Sequence, residues 1–149
     1  MNENYNQAFE FLMAHEGYKS VSLSDAGGRT IFGISSKSWP LLVKELWVLP
    51  FDEARQRARE FYKTKYWDTL QCGDLLYPMD IIAFDTSVNI GTIRTIKMLK
   101  ENEAMFDFLI ARIRFYVEIS AKENNIIFLR GWINRVLSLY GVITAQSKL

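Results

Sequence analysis

Apolar residues recur at helical spacing almost throughout this chain, and the one stretch where they do not limits the folds open to it. Tyr5, Ala8, Phe9 and Leu12 fall at i, i+3, i+4 and i+7, the stripe of a helix with one buried face. Gly17 follows as a C-cap. Residues 19–35 then lose the period. Val21 and Leu23 alternate with serines, Asp25-Ala26-Gly27-Gly28 is turn-forming, and Thr30 to Ile34 is β-branched or aromatic apart from Gly33. This predicts a short β-hairpin directly after the first helix. Helical patterns resume from a Ser36 or Ser38 cap to about Leu46, and from Asp52, near an N-cap, to Trp67. Further helices are predicted from about Met79 to Val88 and over about 92–100, 103–122 and 126–140, with Cys72, Gly73 and Pro78 in a loop and Asn89-Ile90-Gly91 as a break. The fold class is mainly α (α+β), and 149 residues make one domain, 1–149.

Charge and cysteine content exclude several functions. Eighteen basic against 17 acidic residues give a net charge of +1, spread over both halves, which argues against a nucleic-acid binder. A chain 49% apolar and 14% aromatic is not a disordered one. Cys72 is the single cysteine, so no internal disulfide and no paired-cysteine metal or redox site can form. The N-terminus lacks the basic start and unbroken apolar middle of a signal peptide, its apolar stretch being cut by Glu10. No run approaches the ~18 uninterrupted apolar residues of a membrane span. These features predict synthesis in the cytoplasm without stable membrane insertion, and any target outside needs a separate release route.

Glu16 extends the buried stripe of the first helix, lying three residues after Met13 and four after Leu12. It also sits at the negative end of the helix dipole. Both settings favour the neutral acid over the carboxylate, and a general acid must start protonated. An isolated Glu at a helix end is ordinarily a solvated one. Asp25 and Thr30 alter that balance, because a hairpin following the helix can fold its turn back over the helix end. A protonated and an ionised carboxyl facing a glycosidic bond is what acid-assisted glycoside cleavage requires. By itself, Asp25 before Ala-Gly-Gly is more often a turn residue.

The segment Glu16 to Ser35, EGYKSVSLSDAGGRTIFGIS, resembles the opening motif of glycoside hydrolase family 108, the N-acetylmuramidases of bacteria and prophages with a lysozyme-like fold. The matching positions are Glu16, Gly17, Asp25, Gly27, Gly28, Thr30, Gly33, Ile34 and Ser35. The likeness continues in order through Trp39, Glu53-Ala54, Tyr62, Tyr66-Trp67-Asp68, Phe84-Asp85, Val88-Asn89, Gly91 and Arg94. It ends with Arg114-Phe115-Tyr116, Gly131-Trp132 and Arg135. The resemblance implies a lysozyme-like helical domain whose Glu16 is the catalytic acid on the bond between N-acetylmuramic acid and N-acetylglucosamine. It implies that Asp25 positions water or stabilises the transition state, and that Thr30 holds that water.

Three departures stand out. Tyr18 replaces a second Gly, Ser22 replaces an Asp, and the stretch between Lys100 and Phe106 is shorter than in typical relatives. The shortened stretch lacks the segment usually assigned to wall binding.

Tyr66, Trp67 and Asn89 are substrate-binding candidates, since sugars stack on aromatic rings and their N-acetyl groups need amide partners. Tyr66 and Trp67 also fit as core anchors at a helix end. Arg55, Arg57, Arg59, Lys63 and Lys65 form a basic run suited to an anionic wall, or more simply a solvated helix face. His15 is the only histidine and has no ligand motif beside it, so no metal and no cofactor are expected. No nucleophile elbow or triad pattern appears.

The expected protein is therefore a monomeric peptidoglycan hydrolase acting on glycan strands in the periplasm or wall. A prophage endolysin released through a holin, or an effector exported by a secretion system, fits these features. A lytic transglycosylase using the same Glu, or a non-catalytic module of the same fold that binds wall or a secretion apparatus, remains open.

Overall fold

The computed structural model describes residues 3–21, 28–122 and 125–146. Asp25, Ser22 and Gly27 lie outside the described residues. By contacts the chain divides into two compact units, Met1–Asp68 and Thr69–Leu149. The described residues are mainly α-helical with one small antiparallel sheet, as a lysozyme-like fold requires.

The first unit opens with α1, Glu3–His15, whose Tyr5, Ala8, Phe9 and Leu12 are all buried as their spacing predicts. The predicted hairpin is a three-stranded sheet: β1 (Lys19–Val21), β2 (Arg29–Ile31) and β3 (Ile34–Ser35), in the order β1-β2-β3. Thr30 pairs with Ser20 on one side and Ser35 on the other, and Ile31 pairs with Ile34. Ile31 and Ile34 are buried, but β1 is exposed along its length, with Val21 53% exposed. The expected alternation thus gives β1 no buried face; it is an edge strand.

Helix α2, Pro40–Val48, begins later than the serine caps suggest. Proline pre-sets the backbone of a first helical turn and needs no capping hydroxyl. Of the two candidate caps, Ser36 accepts instead from the Arg29 amide at 2.9 Å, and the neighbouring Ser35 hydroxyl accepts from the Lys37 amide at 3.2 Å. Helix α3, Phe51–Tyr62, carries Asp52 and Glu53 in its first turn, where the dipole favours acids. It passes into a π-helical turn, Lys63–Asp68.

The second unit has a short 3₁₀ turn, Cys72–Asp74, then α4 (Met79–Ile90), α5 (Thr92–Glu101), α6 (Met105–Ser120) and α7 (Ile126–Gln146). Helix α4 is buried continuously from Asp80 to Ser87, the mark of a central helix. It runs through Asn89, and Gly91 alone (φ +89°) makes the break before α5. Phe84, Phe108, Tyr116, Val136, Leu139 and Ile143 fill the core, each burial contributing ~1.5–3 kcal/mol. The segment Ile126–Ala145 of α7 is long and apolar enough by length and composition to cross a membrane. Arg130 and Arg135 interrupt it, which is why a count of uninterrupted apolar residues passes over it.

A charged pair sits inside this core, joined by a partly buried third group. Asp85 and Arg112 are 1% and 0% exposed, with Arg112 Nη2 2.8 Å from Asp85 Oδ2, close enough to pair but off the axis of a hydrogen bond. Arg135 donates to Asp85 Oδ1 from Nε and Nη2, at 3.1 and 2.8 Å. Arg112 also donates to the Thr86 and Tyr116 hydroxyls, both at 3.1 Å, and Tyr116 stacks on Trp132. One charged cluster thus joins α4, α6 and α7. Burial opposes ionisation of Asp85, but the charges of Arg112 and Arg135 and the hydrogen bonds they make outweigh it and hold the carboxyl below its usual range.

Candidate active site

Glu16 is the first residue beyond α1, and its amide still bonds to the Leu12 carbonyl at 3.1 Å. The side chain is half-buried. What it meets is the turn joining β2 to β3. Phe32 (φ +50°) and Gly33 (φ +79°) form a two-residue turn with both residues left-handed, the geometry that matches strand twist. A Cβ placed on Gly33 would lie 2.7 Å from Glu16 Oε2, 2.9 Å from its Cδ and 2.9 Å from the Tyr62 hydroxyl. Only hydrogen at this position lets the carboxyl, the turn and the phenol come together.

The turn is anchored from several sides. Tyr62 donates to the Phe32 carbonyl at 2.8 Å, and the Phe32 amide donates to the Tyr18 carbonyl at 2.8 Å. The Phe32 ring packs with Tyr18 and Phe51, centroids 5.1 and 5.6 Å away. A left-handed non-glycine residue costs roughly 1–2 kcal/mol, which burial of the phenyl ring is large enough to offset. The sequence motif contains Gly33 and Tyr62, but spacing alone does not disclose that the Glu16 carboxyl and the Tyr62 hydroxyl both meet at Gly33.

The other candidates fall differently. Thr30 is half-buried on β2, ahead of the Phe32–Gly33 turn. Tyr66 is half-buried and stacks on Tyr62, centroids 5.8 Å apart, so it adjoins the ring whose hydroxyl meets Gly33; burial raises its phenol above the ordinary range. Trp67 is 3% exposed and meets the Tyr5 ring edge-on at 5.2 Å, so its indole faces the core of the first unit. Asn89, in the second unit, is exposed and spends one of its two amide protons on the Asp85 carbonyl at 2.7 Å.

The basic run is dispersed among partners: Arg55 pairs with Glu10, Arg57 with Glu45 and Glu60, and Lys63 with Asp68. Arg59 lies over Tyr5 and Phe9, and Lys65 over Trp39. His15 Nδ1 lies 2.9 Å from the Phe11 carbonyl, a contact within its own helix. Arg112 is the buried residue that sequence reasoning missed.

A carboxyl at the end of the first helix, set against a glycine turn of a small sheet, is an arrangement that many hydrolases could use. Comparison with protein families decides among them. The family described as glycosyl hydrolase 108 matches residues 9–91, more than half of the chain. The chain belongs to glycosyl hydrolase family 108. Residues 79–137 match a second family, described as a predicted peptidoglycan domain. That match includes the shortened stretch between Lys100 and Phe106, so the shortening leaves the peptidoglycan domain recognisable. No curated protein and no solved structure matches the chain. This family 108 protein is a peptidoglycan hydrolase of the lysozyme kind, with peptidoglycan as its partner.

Proposed function

We propose that this protein cleaves the bond between N-acetylmuramic acid and N-acetylglucosamine, with Glu16 as general acid. The observation that carries the reading is the seating of the Glu16 carboxyl against Gly33 and beside the Tyr62 hydroxyl. The seat limits the carboxyl's freedom, and positioning of this kind is where much of catalysis originates. Glu16 gives its proton to the glycosidic oxygen as the carbon–oxygen bond breaks, and water adds to the sugar carbon left electron-poor. Asp25 supplies the carboxylate that positions this water or stabilises the positive charge, and Thr30 holds the water. Tyr66 offers its ring to a sugar face, and Asn89 an amide to an N-acetyl group. The protein acts as a monomer in the wall, as an endolysin or secreted effector released through a holin or a secretion system.

The test is digestion of purified peptidoglycan followed by borohydride reduction and mass spectrometry. Reduced muramic acid at the new ends supports the reading. New ends on glucosamine, or 1,6-anhydro ends, overturn the bond or the use of water respectively.

A further inference from the structure

The second unit carries a groove between α5 and α6 that the chemistry at Glu16 does not use. One part is a cleft of about 400 Å³, within the ~300–1,000 Å³ of small-ligand sites. Arg94, Lys97, Arg114, Phe115 and Glu118 line it. The Arg94 guanidinium lies over the Phe115 ring, 4.4 Å from its centroid, and donates to the Ile90 carbonyl at 3.0 Å, which holds it in place. A second cleft, lined by Glu103 and Asp107, shares Glu101 and Arg114 with the first, so the two are continuous.

The groove therefore carries both signs: Arg94, Lys97, Phe115 and Glu118 line the first cleft, Glu103 and Asp107 the second, and Glu101 and Arg114 line both. Among the described residues, Arg114, Glu103, Asp107 and Glu118 make no ion pair, and the only pair along the groove is the loose one between Lys97 and Glu101 at 3.7 Å. Charges of both signs held near each other without mutual neutralisation suit a ligand that brings both signs itself.

We propose that this groove binds the peptide stem of peptidoglycan rather than its sugars. The inference rests on the peptidoglycan reading above. The glycan backbone offers no ammonium group, so a sugar chain has no use for the acidic side chains. A stem peptide has carboxylates for Arg94, Lys97 and Arg114. Where its third residue is a diamino acid, it also has an amine for Glu103 and Asp107. The whole groove, from Arg94 to Glu118, lies inside residues 79–137, the match to the peptidoglycan domain. The site would let the enzyme engage strands that carry peptides in preference to bare ones.

Calorimetric titration of the full chain with the tetrapeptide L-Ala-γ-D-Glu-diaminopimelate-D-Ala tests this. The same peptide acetylated on its side-chain amine is titrated in parallel. Wild type should bind the free peptide. Arg114→Ala and Asp107→Asn should each bind it about tenfold more weakly, the scale of one lost charged hydrogen bond. Acetylation should weaken wild type by a similar factor and leave Asp107→Asn almost unaffected. No binding of the peptide by wild type, or equal binding by Arg114→Ala with an unchanged melting temperature, overturns the proposal. Digestion of intact, peptide-bearing peptidoglycan by wild type reports separately on the hydrolase reading. Failure there with peptide binding intact counts against the cleavage assignment and not against the groove.

Discussion

Replacing Gly33 by Ala separates the two demands the turn makes. The first is conformational: at φ +79° an L-residue costs roughly 1–2 kcal/mol. For a chain of this size that lowers the melting temperature by about 2–8 °C. The second is spatial. The new Cβ would stand 2.7 Å from Glu16 Oε2 and 2.9 Å from the Tyr62 hydroxyl, closer than Cβ contacts are found. Tyr62 is buried and bonded to the Phe32 carbonyl, whereas the Glu16 carboxyl ends a flexible side chain, so the carboxyl gives way. Misplacing a catalytic group by ~1 Å costs on the order of 10²-fold in rate. Gly91→Ala is the control, because φ is +89° there but a Cβ meets open space. The assay is turbidity loss of purified peptidoglycan beside thermal denaturation followed by circular dichroism. Both variants should melt lower, and only Gly33→Ala should lose about 10²-fold in activity. A Gly33→Ala protein that melts lower yet retains wild-type activity would refute the seat at Glu16.

Further outcomes follow from the same geometry. Glu16→Gln should keep the fold and lose ~10²–10⁴-fold in activity, measured by product release; retention of most of the rate removes Glu16 from the mechanism. Asp25→Asn should slow turnover, and an unchanged rate and product would return Asp25 to a turn residue. Arg112→Met leaves Asp85 buried with Arg135 alone and should cost ~3–5 kcal/mol in a urea titration; a loss below ~1 kcal/mol would mean that the buried pair adds little. The lowered pKa of Asp85 makes a pH prediction. Its contribution is fully present above the unfolded value of about 3.9 and is lost as pH falls through the lower folded value. Acid unfolding should therefore start below that point, and Asp85→Asn should reduce the slope there.

The readable parts of this protein are those in which local pattern and final burial coincide. The α1 stripe is an example, since Tyr5, Ala8, Phe9 and Leu12 each bury where the period puts them. The hairpin region was legible as extended chain but not as three strands. The turn at Phe32-Gly33 uses an aromatic residue in a left-handed conformation, which no local preference announces. It is held by Tyr18, Phe51 and Tyr62, two of them distant in sequence. Helix α2 starts at a proline, and the candidate cap Ser36 is engaged with the Arg29 amide, a competition invisible along the chain. Arg112 sits in an apolar run and reads as a solvated arginine until Asp85 and Arg135 are placed around it. At the candidate site, the residue types were legible and their contacts were not.

The π-helical turn at Lys63–Asp68 has a bearing on how this chain tolerates change. In an ordinary helix, neighbouring residues point ~100° apart. The turn's wider winding takes up one additional residue, and it brings the Tyr66 ring round to Tyr62 while the adjacent Trp67 ring faces Tyr5. What this segment encodes is a phase rather than a composition. Point replacements at its outward positions leave the phase alone. Removing one residue rewinds the turn by about that same ~100° and carries the Tyr66 ring away from Tyr62, with every side chain still present. Homologous segments grafted here must be matched by residue count before they are matched by residue type.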